Sequence, residues 1–260
     1  LQPSEAWRSP AVDHAFREAN ELWLEVPLPV TAKGSTSTFS PEGGQALAQI
    51  INTLGTTTDG PPLTSRLTPA EAAELVALVP VPQQRLDHMR PWLAAALVQT
   101  SYMQKLGLSV TSGADYTLDQ EAVAGGKPVK SFETVEQQAH FFADAAPAEQ
   151  LDFLRQALDD AAQGAPRFEA MERAWLAGDN QALDRLLLQR AKAAAPWFYQ
   201  RLVVDRNRRW IPQIETMLKT PGVRFVAVGG GHLLGPDGVP ALLRMDGWRV
   251  ERVGPARTGQ

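Results

Sequence analysis

The stretch Val223-Arg-Phe-Val-Ala-Val228 followed by Gly229-Gly230-Gly231-His232 constrains this chain more than any other. A short apolar run bounded by glycines reads as a buried strand. Glycines let a backbone turn sharply and let a ligand approach closely. Histidine is the side chain whose charge changes near neutral pH, and it is also a common metal ligand. The pattern is that of a strand tip presenting a site; the plainer reading is a tight turn with an incidental histidine. A phosphate loop does not fit. The dinucleotide fingerprint needs a third glycine where Leu234 stands, and the Walker loop needs Lys and Ser or Thr where Pro236-Asp237 follow Gly235.

The rest of the chain supplies partners for that strand. Pro10 to Asn20 reads as a helix and Leu22-Trp-Leu-Glu25-Val-Pro-Leu28 as a strand that is nearly all apolar, ended by Pro27 and Pro29. Thr31 to Ser40 reads as a loop. Residues from about 41 to 110 are largely helical, with a capping box at Thr68-Pro-Ala-Glu71 and a long helix from Met89 to Lys105. Asp115–Ala124 is a helix, Pro128–Phe132 a strand, and Thr134-Val-Glu-Gln137 a second capping box. Residues from about 135 to 219 are again helical, with breaks at 159–166 and at Gly178-Asp179. After strand 223–228 come a helix at Pro240–Asp246 and a last strand at Trp248–Val253. Strands alternating with helices at both ends imply an α/β fold: a mostly parallel or mixed central sheet carrying a large helical insertion, in one domain over 1–260.

Composition narrows the functions. Hydrophobic residues are 44% and charged residues 21% of the 260, enough for a sizeable core. A net charge of -4 argues against a nucleic-acid surface. With no cysteine, disulfides, zinc–thiolate sites and thiol nucleophiles are excluded. No apolar run approaches the roughly 18 residues of a membrane span, and no signal peptide is recognisable.

Four further positions stand out as chemistry. Glu25 sits in an apolar strand, where an unpaired carboxylate is costly to bury, and near the carboxyl edge where open α/β sheets bind ligands. Glu133 lies between a strand and a helix start, where the helix N-terminus alone would favour a carboxylate. Arg206 and Asn207 fall on or beside the apolar face Val203, Trp210, Ile214 and Met217 of a helix over Pro196–Leu218. An arginine there needs a carboxylate, from the protein or from a substrate. His14, His88 and His140 have no close second ligand in sequence and read as packing or surface residues.

These residues together resemble the TraB/GumN family. The resemblance rests chiefly on Val226-Ala-Val-Gly229-Gly-Gly-His232-Leu-Leu-Gly235-Pro-Asp-Gly238, with Gly247-Trp-Arg-Val-Glu251 after it. Weaker agreement comes from Glu21-Leu-Trp-Leu-Glu25, Arg90-Pro91-Trp92, Gly113-Ala-Asp115, Phe132-Glu133-Thr134-Val-Glu-Gln137 and Asp205-Arg206-Asn207-Arg-Arg-Trp210. Order and spacing agree over nearly the whole chain. The resemblance implies an erythromycin-esterase/ChaN-like fold and, in the manner of the Tiki proteins, a metal-dependent peptidase. The divalent metal would be manganese or cobalt, with zinc also compatible, held by His232 and Glu25. Glu133, or Glu25, would act as general base. Arg206 would stabilise negative charge or bind a substrate carboxylate, Asn207 would orient a ligand, and Gly229, Gly230 and Gly231 would line the substrate.

The sequence departs from the family pattern in one respect. A first Gly-x-x-His motif is expected on a strand upstream of the first helix, and here Gly229-x-x-His232 stands alone. A chain that starts at Leu1 fits removal of an upstream segment, and the resemblance implies export to the periplasm or anchoring through such a segment. The second functional class is a non-catalytic module of the TraB type that captures a peptide, in which the groove matters and the metal does not.

Overall fold

The computed structural model describes residues 7–28 and 41–254; the expected loop at 31–40 lies outside them. Helix α1 (Pro10–Glu18) begins with proline at its first position and with the Ser9 hydroxyl accepting from the Val12 amide, which satisfies a donor no helical carbonyl can reach. It leads into strand β1 (Glu21–Leu24). The first helical block follows: α2 (Pro41–Gly55), α3 (Pro69–Leu78), α4 (Gln83–Asp87) and α5 (Pro91–Lys105). The Thr68–Glu71 capping box forms at the head of α3 as expected. Helix α6 (Ala114–Ala124) and strand β2 (Val129–Ser131) complete the second unit.

The second helical block comprises α7 (Val135–Ala143), α8 (Pro147–Gln163), α9 (Ala165–Leu176), α10 (Asn180–Leu183), α11 (Arg190–Ala194), α12 (Pro196–Tyr199) and α13 (Asp205–Leu218). Wider π turns stand at Asp184–Gln189 and Gln200–Val204. Strand β3 (Arg224–Ala227) and helix α14 (Val239–Met245) close the order.

The three strands form one parallel sheet in the order β2-β1-β3. Parallel strands need crossover connections, and the helical segments supply them. Leu22 and Leu24 of β1 are fully buried against Phe16, Leu118 and Ala122. Trp23, on the opposite face, packs on Phe132, which stacks on Trp210 of α13. The larger core lies in the helical blocks, where Leu75, Leu93, Val98, Phe153 and Leu154 pack together across α3, α5 and α8.

Three expectations are corrected. Strand β1 stops at Leu24 rather than Leu28, although the Glu133 amide still donates to the Glu25 carbonyl one step beyond. The anticipated break at 159–166 is confined to Gly164, whose positive φ of 71° ends α8 only after Gln163. Asp160 inside that helix is paired with Arg167 and Arg190 from the following helices, so its charge does not end the helix. The segment 248–253 forms no strand. Its Val250 carbonyl accepts from the Arg244 guanidinium, and Arg249 pairs with Glu251, so β3 is the edge of the sheet among the described residues.

Candidate functional site

Because all three strands run the same way, their carboxyl ends meet on one side. Glu25 follows β1, Glu133 follows β2 by two residues, and Gly229 to His232 follow β3. Helix α13 crosses behind them and brings in Arg206, Asn207 and Trp210, all buried. The Thr134–Gln137 capping box starts α7 immediately after Glu133 and fixes the chain there. The π turn Gln200–Val204 ends just before α13, and Arg206 Nη1 donates to the Leu202 carbonyl inside it at 3.3 Å. Such wide turns recur at functional sites because they re-aim the residues that follow.

Arg206 is the hub. Its Nη2 donates to Glu25 Oε2 and to Glu133 Oε2, each at 2.7 Å. Its Nε donates to Glu133 Oε1 at 3.0 Å and to Oε2 at 3.1 Å. Its Nη1 lies 3.0 Å from His232 Nε2. A guanidinium can only donate, so Nε2 must accept, and the imidazole proton resides on Nδ1. There it donates to Asn207 Oδ1 at 2.7 Å, and Asn207 Nδ2 donates in turn to the Asp237 carbonyl at 2.7 Å. The remaining carboxylate oxygens are also held. Gly229 N donates to Glu25 Oε1 at 2.5 Å, and Trp210 Nε1 to Glu133 Oε1 at 3.0 Å. Gln138 Nε2 donates to Glu133 Oε2 at 3.2 Å.

Electrostatics follow from that network. Burial lowers the His232 pKa to about 4, assisted by the Arg206 charge and opposed by Glu25 and Glu133, so the ring is neutral at physiological pH. Burial pushes Glu25 upward, but the coulombic effect of His232 where its ring is protonated, the charge and hydrogen bond of Arg206 and the Gly229 amide outweigh it. The carboxylate is held ionised, below its ordinary range. Arg206 is raised despite its burial because two carboxylates surround it.

The glycines matter for a reason other than backbone freedom. None of Gly229, Gly230 and Gly231 has a positive φ. A Cβ on Gly229 would lie 3.0 Å from Glu25 Oε1, so a side chain there would crowd the carboxylate that approaches it. Gly229→Ala is expected to destabilise by up to about 1.5–3 kcal/mol, the scale of a hydrogen bond to a charged group, measurable as a lower urea midpoint. A Cβ on Gly230 would meet open space, and one on Gly231 would touch Leu188 at 3.6 Å. Glu25, Gly229 and Gly230 line a cleft of about 370 Å³ with Asp115, Gln138 and Trp175; Gly231 faces the Leu188 side instead.

The residues singled out in sequence are thus brought together, with altered neighbours. Arg206 spends its donors on Glu25, Glu133, His232 and Leu202 and is 7% exposed, so carboxylates of the protein satisfy it. Asn207 is fully buried and orients His232. Glu133 lies behind the cleft wall, with both oxygens engaged. Trp210 and Gln138 were not foreseen as site residues, although their spacing carries a signal. Trp210 lies four residues after Arg206, one helical turn on, and Gln138 lies on the first turn of the helix that follows Glu133.

A divalent metal would draw on His232 Nε2 and on the carboxylates of Glu25 and Glu133, a donor set that suits manganese, cobalt or zinc in kind. As arranged they do not fit one. The atoms Glu25 Oε2, Glu133 Oε2 and His232 Nε2 all converge on Arg206. Among the described residues no group of three or more His, Cys, Asp or Glu side chains is placed to hold a metal.

Comparison with known proteins places the chain. It is 32% identical over 153 residues to the proteins described as "Uncharacterized protein YbaP" from Escherichia coli (strain K12) and from Shigella flexneri. The match covers 59% of this chain and 56% of each relative, so the chain aligns with only about half the length of the curated relatives it matches. No solved structure matches it. The model of the TraB/PrgY/gumN family matches residues 1–252, and the glycine–histidine turn, the strand-tip glutamates and the Arg206–Asn207 pair all fall inside that span: the chain belongs to this family.

Proposed function

We propose that the cleft at the carboxyl edge of the sheet is a peptide-binding site that recognises ammonium and N–H groups of its ligand. The observation that carries this reading is the charge of the lining. Among the described residues, the two ionisable side chains facing the cleft, Glu25 and Asp115, are both carboxylates, and Glu25 is held ionised. Behind Glu25 stand one arginine, one further glutamate and a neutral histidine, so Arg206 is outnumbered by Glu25 and Glu133 and the centre keeps a net negative charge. Trp175, Val26 and Leu28 supply apolar wall beside those acceptors. His232 has too low a pKa, and Glu25 too many hydrogen bonds, to act as a base matched to neutral pH. The capture role discussed for TraB-type members agrees with this. We also propose that the parallel sheet with its helical insertions takes the erythromycin-esterase/ChaN-like arrangement that the family resemblance implies.

A labelled short peptide with a free amine, compared with its N-acetylated twin, tests the reading by fluorescence anisotropy. The free amine is expected to bind at least ~10-fold more tightly, the scale of one charge-assisted hydrogen bond. Binding should survive EDTA and fall in Gly230→Leu, which fills the cleft where a side chain meets no neighbour. Equal affinity for the twins, or binding indifferent to Gly230→Leu, rules the reading out.

A further inference from the structure

We infer that Arg206 is the resident cation of this centre and that its guanidinium keeps divalent metals out. The groups around it are oriented as metal ligands usually are, by a second layer of hydrogen bonds that fixes each donor atom. Gly229 N pins one oxygen of Glu25 and turns Oε2 inward. Trp210 Nε1 and Gln138 Nε2 hold the two oxygens of Glu133, both of which face Arg206. Asn207 Oδ1 takes the Nδ1 proton of His232 and so aims the Nε2 lone pair inward. What these inward atoms meet is a planar guanidinium, whose fork of donors serves two carboxylates and an imidazole at once better than a point charge does.

The arginine side chain is anchored as well as attracted. Its Cζ lies 5.0 Å from the Trp210 ring centroid and 5.5 Å from that of Phe141. Aromatic faces on that side favour the cation by their quadrupole. Nη1 also donates to the Leu202 carbonyl in the π turn. A metal entering the centre must displace all of these contacts at once and leave a buried arginine without its partners. Selectivity against metals is therefore built into the side chain at position 206 and not into the ligand set, which remains competent in kind.

The inference is tested first on the wild-type protein. Manganese(II) is titrated to ~1 mM, the weak end for carboxylate sites, while the His232 ring resonances are followed by NMR. They are expected to stay sharp; paramagnetic broadening at His232 at sub-millimolar manganese overturns the inference. The second arm is Arg206→Ala, with Arg206→Lys as the control that keeps a cation. Arg206→Ala should gain one saturable site for manganese or cobalt at least ~10-fold tighter than the wild type. The metal should raise its melting temperature, as any ligand of the native state does. Both gains should vanish in Arg206→Ala/His232→Ala and be absent in Arg206→Lys. A folded Arg206→Ala protein that gains no metal site overturns the inference. If Arg206→Ala folds neither with nor without metal, the wild-type titration decides.

Discussion

Arg206→Ala is expected to destabilise the protein by about 3–5 kcal/mol, the cost typical of breaking a buried ion pair by removing one partner. Removing the guanidinium deprives Glu25 and Glu133 of their counter-charge at a site where Arg206 and Glu133 are each 7% exposed. It also leaves His232 Nε2 and the Leu202 carbonyl without their donor. Arg206→Lys should recover only part of the loss. An ammonium can neutralise the carboxylates but cannot span both of them and the imidazole at once. Urea denaturation reads the effect as a lower midpoint at constant slope. A loss below about 1 kcal/mol would show that Glu25 and Glu133 find water or another cation when the arginine is gone.

The second large effect is a loss of stability in mild acid. His232 has a folded pKa of about 4 against an ordinary value of 6.5. Below pH 6.5 the unfolded chain takes up a proton that the folded chain refuses, so stability falls with pH until the folded ring also titrates near 4. The difference of about 2.5 units corresponds to about 3 kcal/mol across that window. Glu25 acts in the same direction. Its folded pKa is depressed, so its contribution is present above the ordinary carboxylate range and is lost as pH falls through the lower folded value. Urea midpoints measured from pH 7 to pH 4 should drop steadily in the wild type and much less in His232→Gln, whose amide does not titrate. Equal slopes in the two proteins would place the acid sensitivity elsewhere.

Much of this centre is legible in the sequence because it sits at strand tips. An apolar run ending in Glu25, another ending near Glu133 and a third ending at Gly229 to His232 are local patterns. The helical face of Arg206 and Asn207 is local too. Which of these groups pair with which is not local. Arg206 and Glu25 are 181 residues apart, and their contact depends on strand order and on the π turn before α13. From sequence, Arg206 therefore reads as a group that needs a carboxylate, without showing whether the protein or a substrate supplies it. The π turns leave no periodic signature, since they widen an otherwise helical pattern by one residue. The false strand at 248–253 has the opposite cause. Trp248, Val250 and Val253 look like strand residues, yet a long-range partner, the Arg244 guanidinium, takes the Val250 carbonyl that a ladder would need. Of the three glycines only Gly229 lies at a close approach, and the group that approaches it is the protein's own Glu25.

The shared guanidinium has a consequence for how these positions can change over time. Glu25, Glu133, Asn207, Trp210 and His232 each depend on Arg206 or on a group that does, and the free-energy costs of altering them cannot add. Once the arginine is lost, a neutral residue in place of Glu133 becomes a relief instead of an injury, because it removes a stranded charge. Inheritance at these six positions is thus that of one character: single steps away from the set are penalised, while joint steps can pass.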